Sequence, residues 1–571
     1  MRRTSVRRLY RPALAALLLC VAPAWAARLE LQEGDYLGTR GLDVLVFNNY
    51  YDGNFSDSKI AGVELIHHGV RTATNGDVRL SPTPEQWDPV ATLVERQVDR
   101  ATGAIQARLR YDDPAFEYTI RVSPGDDGVR IQVLLDRPLP RALEGRAGFN
   151  LEFLPSAYWG KPYLADEGRG GLLPRYPAGP TGRGADGKPV RLPLATGTRL
   201  TLAPEDPQRR VSLHSHGGEL ALYDGRNQAQ NGWYVVRGLL PAGRRGVVLE
   251  WTLQAGIEPD WTRPTVIGHS QVGYHPAQRK VAVLERDRHA PPPGTVRLLR
   301  VEADGSTHEV LADTPHHWGR YLRYDYHTFD FSQVREPGLY RIQAEGQLSH
   351  AFRIAPDVYA NAWQPTLDVF FPVQMDHMFV NEAYRVWHGR SHMDDARQVA
   401  PNTHHFDLYG QGPELDSPFQ PGEHIPGLAV GGWFDAGDFD LRTQTHYATV
   451  LALVDTWERF RPLRDETRID QQRKHVELHW PDGVPDLLQQ IEHGTLMLIA
   501  QHRVFGHAIP GIVEPDLGQY THLGDAVTKT DGRVDDHADP DSPRDDRWAF
   551  TTATTAPTTV AITAAGLYPL V

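Results

Sequence analysis

The chain of 571 residues has almost no cysteine, few long apolar runs and a deficit of positive charge. Its single cysteine, Cys20, lies in the leader segment described below, so the predicted mature protein has no thiol and no disulfide. Beyond that segment no stretch approaches the about 18 uninterrupted apolar residues that a membrane-spanning helix needs. The net charge of −13 argues against nucleic acid and anionic lipid as partners and suits a neutral substrate.

The first residues have the order of a secretory signal peptide. Basic residues between Arg2 and Arg11 are followed by an apolar stretch from Ala13 to Ala22 and by the small-x-small sequence Ala24-Trp25-Ala26. This order predicts a signal peptide over residues 1–26 and export to the periplasm or the cell exterior of a bacterium. We therefore expect the working protein to begin near residue 27.

Residues 27–260 show the period-two pattern of antiparallel strands. Apolar and polar side chains alternate over three successive stretches that are separated by turn residues. These stretches are Ile105–Tyr111, Phe116–Val122 and Val129–Leu135. The pattern predicts a large accessory β-sandwich with one face of each sheet buried.

Residues 264–356 form a second β segment, of immunoglobulin-like size, with short predicted strands. Its sequence resembles the N-terminal immunoglobulin-like domain of family 9 glycoside hydrolases. The motifs that carry this resemblance are Gln271–Pro276, Lys280–Leu284, Asp330–Ser332, Gly338–Tyr340 and Ser349–Ile354. In that family the domain braces the catalytic domain and is not itself catalytic.

After Tyr359 the periodicity becomes helical. Apolar residues recur at helical spacing in Arg442–Phe460 and in Val484–His502, which predicts two amphipathic helices. Pro485 is expected in the first turn of the second helix, where its missing N–H is harmless. Long segments near residues 400–435 and 505–550 are where binding residues should concentrate. Residues 359–571 are therefore predicted to form part of a helical barrel or toroid.

The stretch Gly431–Asp440 contains two carboxylates three residues apart, on a glycine-rich turn directly behind a tryptophan. Hydrolysis of a glycosidic bond needs two carboxyl groups, and an indole can stack on a sugar ring. Asp435 and Asp438 could supply this chemistry. They could equally cap the helix that follows near Leu441, since aspartate is a favoured capping residue. From the residues alone both interpretations stay open.

The same stretch, Gly-Gly-Trp-Phe-Asp-Ala-Gly-Asp-Phe, resembles the signature of family 9 catalytic domains, which are (α/α)6 barrels that cleave β-1,4-glucans with inversion. Gly483–Leu488 resembles their next helix. The resemblance implies that Asp438 is the general base that activates water and that Asp435 shares in holding this water. It also implies that Trp433 and Phe434 line the cleft, although packing is an equal alternative for Phe434.

Two residues of another loop are candidates for the substrate site. Trp387–Asp395 resembles a loop at the family's cleft, with Ser391 where a cysteine commonly stands. The resemblance makes His392 and Asp395 candidate substrate-binding residues. A structural network of satisfied hydrogen bonds is an equally good interpretation of the pair.

No metal or cofactor is predicted. His388 and His392 are four residues apart and His404 adjoins His405, but no further ligand set has the spacing of a metal site, so zinc is not expected. The acidic run Asp535–Asp541 offers oxygen ligands for calcium. A solvated acidic loop is favoured there, because no glycine-turned ligand loop surrounds the run.

The leading hypothesis is an exported, multidomain family 9 glycoside hydrolase that acts as an endo-acting β-1,4-glucanase. It would contain an N-terminal β-sandwich, an immunoglobulin-like β-sandwich and part of an (α/α)6 barrel. The resemblance implies a catalytic acid, a late glutamate, that this chain does not reach. We therefore expect a truncated catalytic domain with little or no activity.

Two alternatives remain. One is an exo-acting hydrolase of another β-linked polysaccharide or oligosaccharide. The other is a non-catalytic glycan-binding protein that uses tryptophans of the sandwich, namely Trp87, Trp159 and Trp233. A tryptophan in a sandwich is usually a core residue, and this is the favoured interpretation of the three. The sequence makes no prediction of the oligomeric state.

Overall fold

The computed structural model describes residues 28–48, 62–83, 88–126, 128–184, 187, 189–226, 232–258, 260–390, 392–393, 396–405, 408–434, 440–514 and 547–553. The chain folds into two compact units. The first contains Met1–Gln271 and Ala277–Phe352, and the second contains Val272–Pro276 and Arg353–Val571. The predicted signal peptide lies outside the described residues. Within those residues, none of the helices has the length and apolarity needed to cross a membrane.

The first unit begins with twenty described strands and one short helix. They are β1 (Glu30–Leu31), β2 (Leu37–Thr39), β3 (Leu42–Val46), β4 (Val63–His67), β5 (Val70–Arg79), β6 (Thr92–Asp99), β7 (Ala104–Tyr111), β8 (Phe116–Gly125), β9 (Gly128–Leu135), β10 (Gly148–Phe153), α1 (Pro155–Tyr158), β11 (Pro162–Ala165), β12 (Gly170–Leu172), β13 (Thr181–Arg183), β14 (Pro189–Arg191), β15 (Ala195–Gly197), β16 (Arg199–Leu202), β17 (Val211–Ser215), β18 (Leu220–Asp224), β19 (Tyr234–Leu239) and β20 (Gly246–Ala255). Single 3₁₀ turns lie at Arg141–Leu143 and Asp166–Gly168.

These strands form two nine-stranded sheets and a hairpin of β13 and β14. The strand orders are β1-β2-β3-β4-β5-β10-β19-β18-β15 and β12-β11-β16-β17-β20-β9-β8-β7-β6. Ile105, Ala107 and Leu109 of β7 are fully buried, and each lies opposite a buried residue of β8. They share one hydrophobic core with Val44 and Phe149 of the other sheet. The strands of this region therefore show the alternation of buried and exposed residues from which a large β-sandwich is predicted.

One of the tryptophans assigned to the sandwich core is not a core residue. Trp159 follows α1 and is 49% exposed, so the prediction of burial is wrong at this position. Trp233 is partly buried, and Trp87 lies outside the described residues. Trp251, which the sequence analysis did not single out, is fully buried and packs edge-on against Phe149 at a ring-centroid distance of 5.0 Å.

The immunoglobulin-like segment contains nine strands. They are β21 (Val266–Gly268), β22 (Val281–Asp287), β23 (Val296–Val301), β24 (Thr307–Asp313), β25 (His316–Tyr321), β26 (Tyr324–Asp330), β27 (Gly338–Ala344), β28 (Gln347–Leu348) and β29 (Phe352–Ile354). Two sheets are formed, with the orders β21-β22-β26-β25 and β24-β23-β27-β28, and β29 also pairs with β27 in the second sheet. Phe329 and Phe331 stack at 5.9 Å, and Phe331 also contacts Phe352 at 5.7 Å. The predicted second β-sandwich is confirmed.

The second unit mixes helices with short strands. Its elements are a π-helical turn (Thr366–Phe370), α2 (Phe371–Val373), β30 (Phe379–Glu382), β31 (Arg385–His388), β32 (Arg397–Gln398), β33 (Leu441–Arg442), α3 (Thr443–Phe460), β34 (Thr467–Asp470), β35 (His475–Leu478), α4 (Asp486–Phe505), β36 (Gly511–Val513) and β37 (Trp548–Phe550). The strands form two small sheets, ordered β31-β30-β35-β34 and β32-β37-β36-β33. The spacing of apolar residues predicts helices here and does not predict these sheets.

The two amphipathic helices predicted from apolar spacing are present as α3 and α4, and they pack against each other. Pro485 directly precedes the first residue of α4 and has extended backbone, so its expected place inside the first turn is wrong by one residue. Gly506 ends α4 with φ +79°, a conformation that glycine adopts without strain. Because α3 and α4 are the long helices among the described residues of this unit, the complete (α/α)6 barrel stays a prediction.

Candidate active site

The structure describes the residues on both sides of the predicted catalytic turn, but not its two carboxylates. Asp435 and Asp438 fall within residues 435–439, and the structure describes the chain up to Phe434 and again from Asp440. Asp395 and the acidic run considered for calcium also lie outside the described residues. The site is therefore described by the elements that hold the two ends of this turn.

Two glycines let the chain approach helix α4 closely. Gly431 and Gly432 have φ values of +68° and +89°, which favour glycine. A Cβ atom added to Gly431 would lie 2.3 Å from the carbonyl oxygen of His493, inside contact distance. The glycine pair in the motif is thus required by backbone conformation and by the space between the turn and α4.

Hydrogen bonds to the segment after α2 fix the residues just before the turn. The Phe434 N–H donates to the Gln374 carbonyl at 2.8 Å, and the Asp376 N–H donates to the Gly432 carbonyl at 2.9 Å. Met375 and Trp433 form an antiparallel bridge between these bonds. The segment is therefore held as a short strand pairing rather than as a free loop.

A buried histidine of α4 adds a further anchor. His493 Nε2 donates to the Gly432 carbonyl at 2.7 Å, and its Nδ1 accepts from the side-chain amide of Gln471 at 3.2 Å. Burial lowers the pKa of His493 to about 3. The ring is consequently neutral near pH 7, with its proton on the nitrogen that faces the turn.

Trp433 is a core residue in the described structure. Its backbone N–H donates to His446 Nε2, and its indole N–H donates to the Gln490 side-chain oxygen, both at 2.8 Å. The indole stacks on the His446 ring at a centroid distance of 5.5 Å and meets the ring of Phe371 edge-on at 5.3 Å. Both helices thereby fix the position of the residue that leads into the turn, and sugar stacking by Trp433 stays a prediction.

Phe434 contacts two histidines of the predicted cleft loop. Its ring meets the rings of His388 and His392 edge-on, at centroid distances of 5.5 Å and 6.3 Å. Both histidines are buried, and burial lowers the pKa of His388. His388 Nδ1 donates to the carbonyl of the next residue, Gly389, at 2.8 Å. The structure therefore groups two of the predicted substrate-binding residues, Phe434 and His392.

An ion pair missed by the sequence analysis lies beside the residues that lead into the turn. Asp376 and Arg547 are both fully buried, and Arg547 Nη2 lies 2.8 Å from Asp376 Oδ2. His377 has φ +63°, and its Nδ1 donates to the Gly431 carbonyl at 3.0 Å. The available signal was the adjacent pair Asp376-His377 within an otherwise apolar stretch. Its partner Arg547 stands 171 residues further along the chain, so no local pattern could identify it.

The far end of the turn is fixed by the second small sheet. Asp440 is fully buried, and its Oδ1 accepts from the Glu514 N–H at 3.3 Å. Leu441, the next residue, pairs with Ile512 of β36. The residues on both sides of 435–439 are therefore anchored, which is the condition for a short turn to present its carboxylates to one place.

The immunoglobulin-like segment has a recognisable relative. Residues 264–349 match the family model described as the cellulase N-terminal ig-like domain. This part of the chain is similar to the immunoglobulin-like domain of cellulases. The resemblance to family 9 glycoside hydrolases is thereby confirmed at this domain, whose two sheets are described above.

Solved structures of family 9 enzymes resemble the chain, although the likeness is distant. They include a metagenome-derived glycoside hydrolase family 9 endoglucanase, with 24% identity and a TM-score of 0.34 over 43% of this chain and 42% of the other. A protein described as Bacteroides ovatus GH9 has 20% identity and a TM-score of 0.33 over 44% and 42% of the two chains. The GH family 9 endoglucanase J30 has 19% identity and a TM-score of 0.31 over 42% and 41%.

The similarity to these structures spans less than half of each. No curated protein matches the chain.

Proposed function

We propose that this protein belongs to an exported glycoside hydrolase system and acts on β-1,4-glucan with inversion. The observation that carries the proposal is the match of residues 264–349 to a cellulase N-terminal domain, in the same chain as the Gly431–Asp440 motif. The anchoring of both ends of that motif supports it further, because catalytic carboxylates must be held within a fraction of an ångström. Export through residues 1–26 is part of the proposal.

In this proposal Asp438 is the general base and Asp435 is its partner. The base removes a proton from the water that attacks the anomeric carbon, while a separate carboxylic acid, about 6.5–9.5 Å from the base, protonates the leaving oxygen. Two carboxylates around one water interact, so one of them takes most of the base character. Phe434, His392 and Asp395 would contact the sugar that occupies the site.

The base role can be tested separately from the acid role. In 2,4-dinitrophenyl β-cellobioside the leaving phenolate is stable without protonation, so its hydrolysis needs the base but not the acid. We expect the full chain to release dinitrophenol and to give the α-anomer of cellobiose, as seen by proton NMR. Replacement Asp438→Asn should lower this rate by about 10²–10⁴-fold, the usual contribution of a general base.

A matched control is Asp455→Asn, which removes an exposed carboxylate from α3 and should leave the rate unchanged. Equal rates for Asp438→Asn and the unmodified protein would contradict the assignment of the base. Formation of the β-anomer would contradict inversion.

The proposed endo action has its own measurement. An endo-acting enzyme lowers the viscosity of a soluble cellulose derivative long before reducing ends accumulate. A steady release of one short product, with little loss of viscosity, would instead identify the exo-acting alternative. Cellulose linkages need the acid as well as the base, so this comparison requires a protein that includes the late glutamate implied by the resemblance.

A further inference from the structure

A cluster of two histidines and one aspartate lies on the β25–β26 hairpin of the immunoglobulin-like domain. We propose that His317, Asp325 and His327 bind one divalent transition-metal ion, with Zn²⁺ as the best fit. The proposal concerns the first unit and does not depend on the glycosidase chemistry proposed for the second.

The hairpin places the three side chains together by its register. His317 lies directly opposite His327, and Asp325 precedes His327 by two residues. Residues two apart on a strand point to the same face, so all three side chains share one side of the hairpin. His317 Nε2 lies 2.8 Å from Asp325 Oδ1, and His327 Nδ1 lies 3.8 Å from Asp325 Oδ2.

These separations suit a single ion. One ligand atom from each residue lies within 4.8 Å of the other two. Ligands bound at about 2.0–2.2 Å in a tetrahedral arrangement stand roughly 3.3–3.6 Å apart. Small side-chain rotations would therefore bring all three atoms to coordination distance without moving the strands.

One of the ligand atoms has a specific reason to bind a metal. The His327 side chain is only 6% exposed, and its Nδ1 is buried without a hydrogen-bond partner. A buried polar atom without a partner is unfavourable, and coordination would satisfy it. Its position toward the Asp325 carboxylate aims this nitrogen into the cluster.

The donor set selects the class of ion. Two imidazoles and one carboxylate suit zinc, copper or nickel, whereas calcium and magnesium prefer oxygen ligands throughout. The His317 side chain is 61% exposed, so an ion can enter from solvent and keep water in its remaining position. The nearby cation Arg286 is already paired with both carboxylate oxygens of Glu345, which limits its repulsion of the metal.

The sequence does not reveal this site, because its ligands are not arranged in a short helical or paired motif. His317 and Asp325 are eight positions apart in the sequence, and the turn between β25 and β26 brings them together. An ion at this position would cross-link the two strands of an edge hairpin. Its expected effect is local stabilisation of the immunoglobulin-like domain.

The proposal can be tested with Zn²⁺ alone. The full chain is purified with a tag that contains no histidine and is stripped with a chelator, and Zn²⁺ binding is then followed by isothermal titration calorimetry. We expect one equivalent with a dissociation constant in the micromolar range or below. Replacements His317→Ala and Asp325→Asn should each remove this equivalent or weaken it at least tenfold.

The matched control is His316→Ala, because His316 adjoins His317 on β25 but points to the opposite face. This variant should bind Zn²⁺ as the unmodified protein does. Both replaced ligands are more exposed than His327, so the variants are expected to fold, which circular dichroism verifies. Unchanged Zn²⁺ stoichiometry and affinity in both ligand variants would overturn the proposal, as would equal losses in His316→Ala.

Discussion

Replacement of Gly494 by alanine should destabilise the second unit, although alanine is the better helix former. Gly494 lies in the middle of α4, where the change ordinarily gains about 1 kcal/mol of helix stability. In this helix the added Cβ would lie 2.2 Å from Cη2 and 2.5 Å from Cζ3 of Trp433, and 2.8 Å from a methyl group of Val450. Atoms in normal contact are about 3.5–4.0 Å apart, so the indole must shift.

The cost of that shift exceeds the gain in propensity. Overpacking of a closely packed core costs about 1–3 kcal/mol. Movement of the indole also weakens its hydrogen bond to Gln490, which contributes about 1 kcal/mol. After the propensity gain is subtracted, Gly494→Ala should lower the free energy of unfolding by about 1–3 kcal/mol.

Unfolding in urea is monitored by circular dichroism and tryptophan fluorescence. The transition that shifts in the variant is assigned to the second unit. A double-mutant cycle supplies the control, because Trp433→Phe removes the indole atoms that collide with the new Cβ. Gly494→Ala should be less harmful by at least ~1 kcal/mol in the Trp433→Phe background. Stabilisation by the single replacement, or strict additivity in the cycle, would refute the reasoning.

Two further predictions concern buried charge and pH. Arg547→Ala should destabilise the second unit by about 3–5 kcal/mol, because it leaves Asp376 buried without its cation. The control Arg459→Ala breaks an exposed pair with Asp455 and should cost under about 0.5 kcal/mol. Similar losses in the urea midpoint for both variants would contradict this prediction. The ring of His493 protonates near pH 6.5 when unfolded and near pH 3 when folded, so the unfolded state binds the extra proton between these values. The free energy of unfolding should therefore fall by up to ~1.4 kcal/mol per pH unit as pH decreases through this window. His493→Gln should remove this contribution to the pH dependence, as measured by urea denaturation from pH 7 to 5. An unchanged pH dependence would show that the histidine is not neutral in the fold.

The strands of the large sandwich could be predicted because their signal is local. A strand with one buried face alternates in polarity, and Ile105, Ala107 and Leu109 are fully buried as that alternation requires. The helices α3 and α4 were predictable for the same reason, at a different period. The short strands of the second unit span two to four residues each, too few for any period to be seen.

The sequence by itself determined which segments have a buried face and the kinship of the immunoglobulin-like domain. Only the tertiary structure decided that Trp433 is enclosed by α3 and α4, that Arg547 pairs with Asp376, and that His317 meets His327 across a hairpin. The physical reason is that the spacing of apolar residues reports which side of an element is buried. It does not report which distant residue is packed against that side, and this depends on the energy of the whole packed arrangement.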